Sequence, residues 1–97
     1  MPHGNEVTLE VTGDKRVTVR LPADFRMKDM RLWAEAEQKG DLETCYRYLA
    51  RLIVAWEGFG DLDPADPASY DELHPKDYLE LNRAVGRWLR SEIWGKN

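Results

Sequence analysis

Cys45, with His3 or His74 as its base, is the one combination in this chain that suggests nucleophilic chemistry. A thiol attacks when a neighbouring imidazole takes its proton. The same three residues are the soft ligands on offer to a transition metal, but none stands at C-x-x-C or H-x-x-x-H spacing. Cys45 also falls on an apolar stripe at helical spacing, where a cysteine behaves as a small hydrophobe. Asp61, Asp63 and Glu72 fit positions one, three and twelve of a calcium loop. The fifth position is Ala65, the sixth, which needs glycine, is Asp66, and the seventh is Pro67. The segment therefore reads as a solvated turn in which Asp66 or Ser69 caps a short helix. Gly58-Phe59-Gly60 lacks the Lys-Ser/Thr that completes a phosphate cradle. Eighteen acidic residues make some carboxylate pairs inevitable, and ordinary surface charge accounts for them. No catalytic residue, cofactor or metal site is expected, and the chain is read as a non-enzyme.

Charge narrows the partners. Arg83, Arg87 and Arg90 form a basic strip that Arg47 and Arg51 extend, but Glu80 and Glu92 interrupt it. Pairs such as Glu43–Arg47, one helical turn apart, account for such arginines. The net charge is −4, whereas capture of phosphate needs clustered Lys and Arg. Neither nucleic acid nor an anionic membrane is expected as a partner. Aromatic residues carry what functional signal remains. Trp56 and Trp88 sit on core-type stripes, Trp33 is half core, and Trp94 lies close to the C-terminus, where it is clamped to the fold or open to a partner.

The elements that position these residues follow from periodicity. Residues 6–12 and 17–21 alternate apolar and polar residues, with Val7, Leu9 and Val11 matched by Val17, Val19 and Leu21. Gly13-Asp14-Lys15-Arg16 between them has turn chemistry, so residues 6–21 are expected to form a β-hairpin. A lone hairpin is marginal in water, so it must pack on helices or pair its edge with another strand. Pro22 ends the second strand. A helix is expected over 27–39, stopped by Gly40, and a second over 41–57, capped by Asp41. On the second, Leu42, Cys45, Tyr46, Leu49, Leu52, Ile53 and Trp56 make one stripe, and Gly58 and Gly60 close it. Residues 58–74 form a loop broken by Pro64 and Pro67, with one helical turn near 68–73. Pro75 suits the first turn of a last helix over 75–93, in which Gly86 suggests a close helix contact. The fold class is α+β: an N-terminal hairpin followed by a small bundle of about three helices.

At 97 residues the chain fits a single domain spanning 1–97. One cysteine excludes an intrachain disulfide and suits a reducing compartment. Met1-Pro2-His3-Gly4-Asn5-Glu6 lacks the basic and apolar regions of a signal peptide. The longest apolar run, Leu52–Trp56, is far short of a bilayer span. A cytoplasmic location is expected.

The order of elements resembles that of the tail assembly chaperones of long-tailed bacteriophages. The pieces that carry the likeness are Val17–Pro22 (Val-Thr-Val-Arg-Leu-Pro), Leu49–Glu57 (Leu-Ala-Arg-Leu-Ile-Val-Ala-Trp-Glu), the Pro/Asp-rich loop Asp61–Tyr70, and Leu73-His74-Pro75 with Tyr78-Leu79. They are hydrophobic patterns and loop compositions and span most of the chain. The resemblance implies a non-enzymatic protein in the host cell cytoplasm. It would bind the tape-measure protein and assist polymerisation of the tail tube protein. Physics accommodates that role, since a groove between helices can cover an apolar helix of a partner. Phe59, Tyr78, Trp88 and Trp94 are the partner-binding candidates, chosen for aromatic content and position. Self-association through the hairpin edge is a further expectation. The competing reading is a small acidic inhibitor or adaptor that binds a host enzyme.

Overall fold

Alternation of β-branched residues with polar ones makes the first two strands. The computed structural model describes residues 6–95, so His3 and the residues after Gly95 lie outside the described residues. Strand β1 is Val7–Thr12 and β2 is Lys15–Val19, antiparallel, with Val7 opposite Val19 and Leu9 opposite Val17. The turn is shorter than the sequence suggests. Gly13 takes φ +55°, which reverses the chain within Gly13-Asp14 and frees Lys15 and Arg16 to join β2.

Helix α1, Met27–Lys39, begins where the Asp29 carboxylate accepts from the Arg26 backbone N–H at 2.8 Å, and ends at Gly40. Helix α2, Leu42–Leu52, is capped by Asp41, whose carboxylate accepts from Thr44 N at 3.3 Å. The expected helix over 41–57 stops there. Ile53–Glu57 is a third strand, β3, antiparallel to β2, so Gly58 and Gly60 follow a strand and do not close a helix. The sheet order is β1-β2-β3. Ile53 and Val54 are β-branched and favour a pleated surface, and β2 offered an unpaired edge. The hairpin thus finds its extra strand within its own chain.

The sheet has two chemically distinct faces. Val17 and Val19 are fully buried and Ile53 nearly so, with Val7, Leu9, Val11 and Trp56 packed against the same core. On the other face Thr8 and Thr18 hydroxyls lie 3.1 Å apart, and Arg16 pairs with Glu57 at 3.5 Å. A short helix α3, Pro67–Tyr70, is capped by Asp66, which accepts from Ala68 N at 3.0 Å. Helix α4, Pro75–Arg90, has Pro75 in its first turn and continues into a π-helical turn, Ser91–Gly95. Helix α4 packs on β1, and α2 packs on α1, α3 and β3. Leu49, Leu52, Leu81 and Val85 are fully buried at the centre. Among the described residues no helix is long and apolar enough to cross a membrane.

Candidate protein-binding surface

Of the described residues singled out for chemistry, Cys45, His74, Asp63 and Asp66 sit in structural roles. Cys45 is 1% exposed on the inner face of α2, and burial, followed by Glu37 and Asp41, raises its thiol pKa. A buried protonated thiol is a poor nucleophile. His74 caps α4, its Nδ1 accepting from Lys76 N at 3.1 Å. In the acidic loop, Asp63 accepts from Ala65 N at 2.9 Å and Asp66 caps α3. Asp63 and Asp66 are thus held as turn acceptors. Among the described residues no three His, Cys, Asp or Glu side chains converge as a metal site would require.

Aromatic side chains divide into two runs. Phe25, Tyr48 and Trp33 join α1 to α2, with Trp33 stacked on Tyr48 at 6.1 Å and Phe25 edge-on at 6.2 Å. Phe59, Trp56, Tyr70, Tyr46 and Tyr78 form the second run, at centroid spacings of 4.9, 5.2, 5.9 and 5.5 Å. Two polar anchors pin the second run to the loop. Trp56 Nε1 donates to Leu62 O at 2.8 Å, and the Tyr70 hydroxyl donates to Pro64 O at 2.7 Å. Burial pushes the Tyr70 phenol well above its ordinary value, and burial with Cys45 and Tyr46 nearby does the same to Tyr78.

These runs separate the four partner-binding candidates. Phe59 is 6% exposed and Trp88 8%, so both are core residues whose rings no partner can reach. The helical stripe already placed Trp88 inward, whereas Phe59 looked like a loop tip until β3 brought it back against Trp56. Tyr78 is half-buried against Tyr46. Trp94, in the π-helical turn, is 62% exposed. The structure does not bring the four together.

Trp94 instead borders a groove of about 480 Å³ between α1 and α4. Met27, Met30, Trp33 and Leu89 supply its apolar lining, and Arg31, Arg83 and Arg90 supply its charge, against Glu37 alone. Glu37 is itself engaged, accepting from Asn82 Nδ2 at 2.7 Å across the groove. Met27 is 57% exposed. Periodicity could not reveal this surface, because it is composed from two helices far apart in sequence. Gly86 lines it as well. A Cβ there would meet only the Arg90 guanidinium, at 3.7 Å, so the expected close helix contact at Gly86 is absent.

Comparison with protein-family models, with curated proteins and with solved structures finds no match to this chain.

Proposed function

We propose that this chain is a non-enzymatic protein-binding domain that acts as a tail assembly chaperone. It covers an apolar helical stretch of a tape-measure protein while tube subunits polymerise around it. The observation that carries this reading is the groove between α1 and α4. It is apolar at its floor, bordered by an exposed tryptophan, and open along two helices, the geometry by which one helix receives another. Exposed Met27 and Trp94 suit such a surface, since methionine adapts to irregular partners and tryptophan is enriched among residues that dominate binding. The net charge of −4 keeps such a carrier soluble while it holds an aggregation-prone chain. The burial of Cys45 and the capping role of His74 speak for binding rather than for chemistry.

Co-expression with a tape-measure protein, followed by pull-down and light scattering, tests the proposal. A soluble complex with several copies of this chain per partner is the expected result. A tape-measure protein that stays insoluble while this chain elutes alone overturns it and favours the host-enzyme inhibitor.

A further inference from the structure

We infer that the α1–α4 groove selects acidic amphipathic helices, taking their apolar side chains on Met27, Met30 and Trp94 and their carboxylates on Arg83 and Arg90. The inference rests on the protein-binding reading and names the chemistry of the partner at that site.

Charge is the first support. The protein as a whole is acidic, yet the groove lining holds three arginines and one glutamate. Arg31 is 3.7 Å from Glu35, and among the described residues Arg83 and Arg90 form no ion pair. Two unpaired guanidiniums beside an apolar floor match a helix that carries Asp or Glu next to its apolar stripe, since arginine forks engage carboxylates two bonds at a time.

Gly86 is the second. It lies inside α4, where glycine weakens a helix relative to alanine. Its backbone has helical dihedrals and no neighbour needs its missing Cβ, which would stand at ordinary contact distance from Arg90 Nη1. The fold therefore does not require glycine here. What its absent side chain does is keep the α4 wall of the groove low between Arg83 and Arg90, one turn to either side.

The test uses two synthetic helical peptides of about 18 residues, roughly five turns. Both carry leucines three and four apart. One has glutamates flanking the leucines and the other has lysines. Binding is read by peptide anisotropy and by tryptophan emission. The glutamate peptide is expected to bind, with affinity falling about ten-fold as salt rises from low to high, and the lysine peptide to bind at least about ten-fold more weakly. Reversing both charges (Arg83→Glu with Arg90→Glu) should invert that preference. Gly86→Ala should raise Tm by about 3–6 °C while weakening the glutamate peptide, and Gly86→Leu should abolish binding with the helix content intact. Trp94→Ala should weaken binding without moving Tm.

Equal affinity for the two peptides, no binding of either, or a preference unmoved by charge reversal overturns the inference. A concentration-dependent dimer that the glutamate peptide cannot dissociate assigns the groove to a second copy and also overturns it. The chaperone reading fails separately. Glutamate-peptide binding that survives while a tape-measure protein stays insoluble removes the function and keeps the groove. A tape-measure complex indifferent to Gly86→Leu and to charge reversal removes the groove and keeps the function.

Discussion

Asp29 is 9% exposed and accepts from the Arg26 backbone N–H at 2.8 Å and the Tyr48 hydroxyl at 3.1 Å. The Arg26 N–H, more than any other neighbour, holds its carboxyl below the ordinary value of 3.8; burial opposes this, and Tyr48 and Arg51 add to it. A carboxylate whose folded pKa lies below its unfolded one binds fewer protons when folded. The stability it contributes is fully present above pH 3.8 and is lost as pH falls through the lowered folded value. Thermal melts from neutral pH down to about pH 2 are expected to show Asp29→Asn less stable than the parent, with the difference shrinking across that window. A difference that does not change with pH contradicts this account. Gly58 is constrained by its backbone. It has φ +93°, and a Cβ would lie 2.7 Å from Lys15 Cγ and 3.1 Å from Lys15 Cα. Gly58→Ala is expected to destabilise by about 1–3 kcal/mol in chemical denaturation; a loss under about 0.5 kcal/mol, the range of a neutral surface change, refutes the clash.

At the level of elements, the junction of α2 and β3 decides the architecture. The chain passes from helix to strand between Leu52 and Ile53 with no loop. Ile53 N–H still bonds back to Leu49 O, while Leu52 O accepts from Arg20 N at 2.9 Å, so the last helical residue is already tied to the chain just after β2. A bulge at Val54 then sets Thr18 opposite Ala55 and Val19 opposite Ile53, which puts Ile53 on the same inner face as Trp56. If pairing with β2 decides the state of 53–57, a peptide of residues 41–57 in isolation should show no β structure. In a helix-favouring cosolvent it should be helical through Trp56, because its stripe continues at helical spacing. A helix that ends at Leu52 in the isolated peptide would instead place the switch in local sequence.

For the molecule as a whole, the core is assembled from distant segments. Val17 and Val19 from the sheet, Leu49 and Leu52 from α2, and Leu81, Val85 and Leu89 from α4 share one cluster. Helix α4 closes it over β1, the first strand of the chain. A protein truncated after His74 loses Leu81, Val85, Trp88 and Leu89, all buried, and a domain this small has little core to spare. It is expected to lack a cooperative thermal transition by circular dichroism; a sharp melt in the truncated protein would show that the sheet and α1–α2 fold alone.

The sequence by itself determined the local preferences. Alternating valines and leucines made β1 and β2, Asp41 and Pro75 marked where helices begin, and the stripe with Cys45 made α2 a core helix. Those are short-range effects, legible within a turn or a strand. Tertiary structure alone decided that residues 53–57 become a strand, because an apolar run of that length satisfies either period until an unpaired edge claims its backbone groups. It also decided which aromatics a partner can reach. Phe59 went inward against Trp56, and Trp94 stayed out beside a groove whose two walls lie some fifty residues apart in the chain. Burial depends on what packs opposite a side chain, and that partner is not written in the neighbouring residues.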